Sequence, residues 1–155
     1  MKALEKEIKV VATNRKATFQ YFIVNRYKAG IVLGGTEVKS VRSGKVNLSD
    51  AYCIFKDGEL WMRSVHIAEY RHGGFYNHAA KRERKLLLTK RELRKLETRI
   101  KERGYTIIPT EIFINERNFI KVEIALVKGK KAFNKKNSIR ERDIKRDMDR
   151  SLKGY

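Results

Sequence analysis

Apolar and polar residues alternate along this chain in short runs separated by glycine, asparagine and charged clusters, a pattern of strands rather than long helices. Thr18 to Val24 places Phe19, Tyr21 and Ile23 on one face and Gln20, Phe22 and Val24 on the other, which predicts a strand covered on both sides. A turn over Asn25–Lys28 then leads to Ile31, Val32 and Leu33. The stretch from Gly30 to Asp50 is the most organised part of the chain. Its strand breaks at Gly34-Gly35, Thr36 can N-cap a short helix carrying Glu37, Lys39 and Arg42, Gly44 ends that helix, and a second strand starts near Val46. Asp57-Gly58 between Ala51–Phe55 and Leu60–Ile67 is a hairpin signal, with Trp61 half-buried on it. Residues 71–81 read as a loop.

Thr89 opens the clearest helix. Thr89 and Glu92 have the spacing of a capping box, Leu88 and Leu93 that of a hydrophobic staple, and Leu93, Leu96 and Ile100 form a narrow apolar stripe that Gly104 ends. Three further β runs follow, at Tyr105–Ile108, Glu111–Ile114 and Phe119–Val127, with Asn115–Asn118 as a turn. In the last run Ile120, Val122, Ile124 and Leu126 alternate with Lys121, Glu123 and Ala125, so one face is expected to be buried. Six or more short strands with one inserted helix predict a mainly β fold with helices, a small OB-type antiparallel β-barrel. The division expected is a weakly structured lead-in over residues 1–13, the barrel over 14–129 and a basic tail over 130–155. In the tail Ile144, Met148 and Leu152 recur every fourth residue. That stripe encodes a helix with too little apolar area to hold itself, so the tail is expected to be disordered alone and helical on a partner.

Charge sharpens this picture. The 155 residues contain 37 Lys and Arg against 18 Asp and Glu, a formal net charge of +19. Such a field draws polyanions and favours a nucleic-acid partner. From Lys81 to Arg103 there are 11 basic and 4 acidic residues, and from Lys128 to the end again 11 and 4. Part of the first excess is an ordinary solvated helix face with pairs such as Glu92 and Lys95. The run Lys81, Arg82, Arg84 and Lys85 is not explained that way. Phe75, Tyr76 and His78 lie in a glycine loop between basic segments, where stacking on an unpaired base is as reasonable as packing into the core.

Catalysis has little support. Cys53 is the single cysteine, and His66, His72 and His78 fall at intervals of six, which matches no zinc spacing. Glu37 with Asp50 could form a carboxylate pair, but Glu37 beside Lys39 and Arg42 is better read as the acid that orders a basic cluster. No phosphate-binding glycine loop and no nucleophile elbow occurs. No cofactor, metal or membrane span is expected, and the lone cysteine and lack of a signal-peptide core fit a cytoplasmic protein.

Several runs together resemble one family. They are Asn14-Arg15-Lys16-Ala17, Ala29-Gly30-Ile31-Val32-Leu33, Gly35-Thr36-Glu37-Val38-Lys39-Ser40 and Gly44-Lys45-Val46-Asn47-Leu48, then His66-Ile67, Asn77-His78, Arg82, Arg84-Lys85-Leu86-Leu87-Leu88, Lys128-Gly129-Lys130-Lys131, Arg142-Asp143 and Arg146-Asp147. In this order they resemble the SmpB family, the SsrA-binding proteins that partner transfer-messenger RNA in bacterial ribosome rescue. The resemblance runs from Lys9 to near the end. It implies an RNA-binding adaptor, not an enzyme. The barrel would bind the tRNA-like domain of transfer-messenger RNA in place of the missing anticodon arm, and the tail would fold into a helix in the decoding centre and vacant messenger channel of the stalled ribosome's small subunit. Alanyl-tRNA synthetase and elongation factor Tu are implied as indirect partners. The residues implied at the RNA are Arg15, Lys16, Glu37, Lys39, Arg42, Lys45, Tyr70, Asn77, Arg82, Arg84 and Lys85. Those implied at the ribosome are Lys130, Lys131, Phe133, Asn134, Lys135, Lys136, Arg142, Ile144, Arg146 and Met148. Asn134-Lys135-Lys136 departs from the family's usual Asp-Lys-Arg, which removes an acid and a planar bidentate donor. Glu69 and Ala80 stand where proline is usual, and Gly74 where asparagine is usual. A general rRNA-binding or RNA-chaperone barrel of OB type without tRNA-like specificity and an RNA-cleaving or RNA-modifying enzyme are the rival readings.

Overall fold

The computed structural model describes residues 8–70 and 77–129. Nine strands and three helices follow one another as β1 (Lys9–Thr13), α1 (Lys16–Gln20), β2 (Tyr21–Ile31), α2 (Gly35–Arg42), β3 (Val46–Asn47), β4 (Tyr52–Lys56), β5 (Glu59–Arg63), β6 (His66–Ile67), β7 (Arg84–Leu87), α3 (Lys90–Ile100), β8 (Tyr105–Ile114) and β9 (Ile120–Gly129). Strands β4, β5, β7, β2, β9 and β8 are hydrogen-bonded in that order, and β8 returns to β4, so the sheet closes into a ring. Every pairing is antiparallel. The mainly β class with helices is therefore as expected. The tail lies outside the described residues. Among the described residues no helix is long and apolar enough to cross a membrane.

Inward side chains of the ring, among them Leu60, Met62, Leu86, Ile107, Ile112, Val122, Ile124 and Leu126, form one core into which α2 sends Val41 and α3 sends Leu96. The Asp57-Gly58 hairpin is present, with φ of 53° and 76° at its two turn residues, the left-handed pair that matches the twist of flanking strands. Asn115 closes the β8–β9 turn by accepting the Arg117 and Phe119 N–H groups.

Four segments differ from the sequence expectation, each for a physical reason. Lys9–Thr13 is a strand rather than a loose lead-in, because it pairs with the outer half of β8. The run over Thr18 to Val24 divides: Lys16–Gln20 is helical, Ala17 packs on Ile108, Ala125 and Val127, and Phe19 stays 78% exposed. The supposed turn at Asn25–Lys28 is the middle of β2. A bulge between Ile23 and Asn25 switches the faces, so Tyr21 and Ile23 meet the α1 side while Tyr27 and Ala29 meet the ring core. The polar residues that suggested a turn are strand positions, and Arg26 donates to Glu123 at 2.9 Å. Finally, Tyr105–Ile114 is one strand. Pro109 lacks an N–H, the register slips between it and Glu111, and Asn14 fills the gap by donating from Nδ2 to the Pro109 carbonyl and from its backbone to Thr110.

The α1 helix also explains β9. Val122, Ile124 and Leu126 enter the ring, while Ala125 and Val127 are buried on the opposite face beneath Ala17, so this half of the strand is covered twice rather than on one face. On α3, Leu96 is fully buried and is the residue by which the helix is anchored. Leu96→Ala should lower unfolding free energy by about 2–5 kcal/mol in urea titrations followed by Trp61 fluorescence. A loss under roughly 1 kcal/mol would show that α3 is not part of the core.

Candidate nucleic-acid interface

The short charged helix forms where the glycines predict it, but its cap differs. Gly34 is the N-cap of α2, two residues ahead of Thr36. Glu37 occupies the third helical position, and its Oε1 accepts the Gly34 N–H at 2.8 Å. Thr36 is drawn elsewhere: its hydroxyl lies 2.9 Å from His78 Nδ1, and His78 Nε2 lies 2.9 Å from the Ile67 carbonyl. A carbonyl only accepts, so Nε2 carries a proton and donates it to Ile67. Gly44, at φ 76°, ends the helix as expected.

Glu37 is fully buried. The basic residues it orders are not its helix neighbours Lys39 and Arg42 but Arg82 and Arg84. Arg84 Nε donates to Oε2 at 2.7 Å, while Arg82 reaches Oε1 through Nη2 and Oε2 through Nε. Burial pushes the Glu37 carboxyl upward, and the Arg82, Gly34 and Arg84 donors outweigh it, so its pKa falls from 4.5 to about 2. The Arg84 guanidinium is also fully buried. Burial lowers its pKa, and Glu37 opposes that shift. Its remaining N–H groups donate to the Val65, Ala79 and Ala80 carbonyls.

The basic run of residues 81–85 is therefore split by the pleat of β7. Arg82 lies at the lip with its side chain 41% exposed. Arg84 points inward, and its place among the RNA-contacting cations is corrected: it holds Glu37 and offers no surface to a ligand. Lys85, on the opposite face of β7, is 3.6 Å from Glu59. Arg42 is also engaged, donating to Asn118 Oδ1 and the Asn118 carbonyl at the β8–β9 turn. Lys39 sits 5.2 Å over the Tyr70 ring. Asn77 accepts the Tyr70 N–H and donates to the Tyr70 carbonyl, which holds these two residues together. Lys45 is exposed just after the helix, and Lys16 stands 3.8 Å from Asp50.

The structure thus gathers Lys39, Lys45, Tyr70, Asn77 and Arg82 around α2, on a base made by Glu37 and Arg84. Lys16 and Arg15 belong to the start of α1, and Lys85 to the outer sheet face. Phe75 and Tyr76 fall outside the described residues, as do Lys130, Lys131, Phe133, Asn134, Lys135, Lys136, Arg142, Ile144, Arg146 and Met148 of the tail. Sequence reasoning missed the Thr36–His78–Ile67 bridge. Its signal was weak: a histidine in a glycine loop says nothing about which distant hydroxyl and carbonyl it will join.

An exposed cationic rim on a buried base is suited to gripping phosphates. The SmpB protein family model matches residues 11–154. This chain belongs to the SmpB family. It is 53% identical over 140 residues to the SsrA-binding protein of Parabacteroides distasonis, covering 90% of this chain and 92% of that one. It is 49% identical over 148 residues to the SsrA-binding protein of Bacteroides thetaiotaomicron, covering 96% and 99%. A solved chain from the structure presented as "tmRNA-SmpB: a journey to the center of the bacterial ribosome" superposes with a TM-score of 0.65 at 44% identity, over 77% of this chain and 83% of that one. The family resemblance read from the motifs is therefore correct, and the runs around Glu37 and Arg84 that carried it build the buried base of the SmpB lip.

Glu37 has a pH signature. Its carboxyl titrates near 4.5 when unfolded and at about 2 when folded, so the unfolded chain takes up a proton between those values that the folded chain does not. The stabilisation is complete above about pH 4.5 and disappears as pH falls toward 2, with a span on the order of 3 kcal/mol. Glu37→Gln should therefore be markedly less stable than the parent at pH 7, and the gap should close on acidification through that window. A gap independent of pH would show that the carboxylate is not ionised in the native protein.

Proposed function

We propose that the protein is a non-enzymatic RNA-binding adaptor for transfer-messenger RNA. It binds the tRNA-like domain and delivers it to stalled ribosomes in trans-translation. The observation that carries this reading is the clamped arginine at the lip. Arg82 is fixed by the buried Glu37 carboxylate yet keeps two-fifths of its side chain in solvent. A cation held in one place loses little freedom when a phosphate arrives, so its contact adds shape selectivity to bulk attraction. The relatives named SsrA-binding protein and the structure presented as tmRNA-SmpB support the same ligand.

In this reading Arg15, Lys16, Lys39, Lys45, Arg82 and Lys85 face the RNA backbone, Tyr70 and Asn77 shape the loop next to it, and Arg42 steadies the turn at its edge. Glu37 and Arg84 act through Arg82. Residues 130–155 engage the small subunit. Lys130, Lys131, Lys135, Lys136, Arg142 and Arg146 meet ribosomal phosphates, Ile144 and Met148 form the apolar seam of a helix in the vacant messenger channel, and Phe133 and Asn134 lie at the decoding centre. Alanyl-tRNA synthetase and elongation factor Tu act on the RNA that the adaptor holds. The protein works in the cytoplasm, where those partners are.

The test is competition binding of a tRNA-like-domain transcript against excess ordinary tRNA over a salt series. Attraction by charge alone predicts no discrimination and a loss of about tenfold or more for a few-fold rise in salt. A shaped site predicts a preference that persists at high salt and that Arg82→Gln removes. A chain ending at Gly129 should keep this preference and lose ribosome rescue. Equal competition by any RNA would leave a general RNA-binding protein instead.

A further inference from the structure

We propose that Thr36 and His78 are positioning residues of the lip. Joined through the imidazole, they set where Tyr70 and Lys39 stand and so supply part of the selectivity for the tRNA-like domain. The proposal rests on the adaptor reading above and names two residues that act there without touching the RNA.

The Thr36 hydroxyl does not serve its own helix. Gly34 is the N-cap of α2, Glu37 takes the Gly34 N–H, and Val41 anchors the helix in the core. Thr36 is left to bond outside the helix, and its Oγ1 lies 2.9 Å from His78 Nδ1. The other ring nitrogen, Nε2, donates at 2.9 Å to the carbonyl of Ile67. Ile67 is fully buried and pairs with Val46 in the short β3–β6 ladder, so it is a firm anchor. With a bond at each nitrogen, the imidazole cannot rotate without losing both. A hydroxyl can turn to donate or to accept, so Thr36 can meet Nδ1 whether the ring is neutral or cationic.

From His78 the contacts run on to Lys39. The backbone N–H groups of His78 and Tyr70 both donate to Asn77 Oδ1, at 3.2 and 2.9 Å, and Asn77 Nδ2 donates to the Tyr70 carbonyl at 2.6 Å. The Lys39 ammonium stands 5.2 Å over the Tyr70 ring. Thr36 and Lys39 are three residues apart and therefore neighbours on one face of α2. The links close a circuit from Thr36 through His78, Asn77, Tyr70 and Lys39 back to the helix. Glu37 stands outside it, since its partners are Gly34, Arg82 and Arg84. The lip thus has two separate fasteners: the buried ion pair holds Arg82, and the imidazole circuit holds Lys39. A single fixed cation meets any phosphate. Two cations held at a set separation favour one spacing of phosphates, and neither loses much freedom when that spacing arrives.

The experiment uses the full chain and four variants. Thr36→Val keeps the shape and removes the hydroxyl, while Thr36→Ser keeps the hydroxyl. His78→Gln keeps a donor within reach of the Ile67 carbonyl and leaves nothing at the Nδ1 position, and the fourth variant combines Thr36→Val with His78→Gln. Competition of the tRNA-like-domain transcript against ordinary tRNA is measured over a salt series, and amide exchange at Tyr70 and His78 is followed by NMR in the unbound protein. Thr36→Val should lower the preference for the tRNA-like transcript about threefold to tenfold, the worth of one hydrogen bond. Its salt slope should equal the parent's, because no charge is lost. Thr36→Ser should match the parent, and the combined variant should match His78→Gln alone. Both amides should exchange faster in Thr36→Val than in the parent. A merely structural role would lower stability and leave the preference of the folded chain unchanged. The proposal is overturned if Thr36→Val keeps the parent's preference or its exchange rates. It is equally overturned if Thr36→Ser is as damaging as Thr36→Val, or if the effects of Thr36→Val and His78→Gln add in full. Failure of the adaptor reading looks different: the parent itself would then show no preference for the tRNA-like transcript over ordinary tRNA, and the claim of selectivity would fall with it, whatever the exchange rates.

Discussion

The pairing of Glu37 with Arg84 is the constraint on which the functional surface depends. Both side chains have left water completely, and the solvation each forfeits is several kcal/mol. Such a pair is tolerable only when every donor and acceptor is matched, and here the matching is extensive. The carboxylate receives donors from Gly34, Arg82 and Arg84, and the Arg84 guanidinium also serves the Val65, Ala79 and Ala80 carbonyls. Those carbonyls belong to irregular chain, where the Ala79 and Ala80 oxygens also accept the Arg82 and Ile67 N–H groups and Arg84 supplies a second donor. One ion pair therefore fixes the start of α2, the inner face of β7 and the backbone between β5 and β7. An apolar pair of equal volume could fill the space and would leave the Val65 carbonyl without its Arg84 donor.

The consequence for function is mechanical. Arg82 is the exposed member of a network whose other members cannot move, so the lip presents a guanidinium at a set position instead of a swinging side chain. Lys39 over Tyr70 and the Asn77 clamp on the Tyr70 backbone extend the same order to those residues. A chain with a net charge of +19 would attract any RNA. What it needs in addition is geometry, and the buried pair supplies it. The few acids are placed accordingly. Glu37 fixes two arginines, Glu83 joins Lys56 to Arg63 on the outer sheet, and Glu92 closes a helix cap.

How much of this was legible in the sequence follows from the range of the interactions. Local chemistry read out well: the Asp57-Gly58 turn, the Thr89–Glu92 cap, Gly44 and the stripe of α3 are each decided within a few residues. The strands went astray where a distant segment decides the outcome. The polar stretch Asn25–Lys28 reads as a turn until β9 pairs with it and supplies Glu123 as the partner of Arg26. Pro109 reads as a break until Asn14 bonds its carbonyl. The two-sided burial of Ala125 and Val127 is invisible without α1. In the site, Glu37 was recognised as an organiser but with the wrong partners, because Lys39 and Arg42 are near in sequence while Arg82 and Arg84 are 45 and 47 residues away. The alternation of β7 was the available clue. Once Leu86 is inward, Arg84 must be inward too, and an inward arginine requires a buried acid.

The closed ring itself is what holds the two outer helices in fixed places. An open sheet exposes both ends of its strands to one neighbour and can twist to accommodate it. A ring braced by β8 against both β4 and β9 holds its ends at fixed separation, with α2 packed at one and α3 at the other. Each helix carries its cations outward because its apolar stripe is too narrow to do more than anchor it, by Val41 in one case and Leu96 in the other. The core thereby sets where the cations of each helix stand.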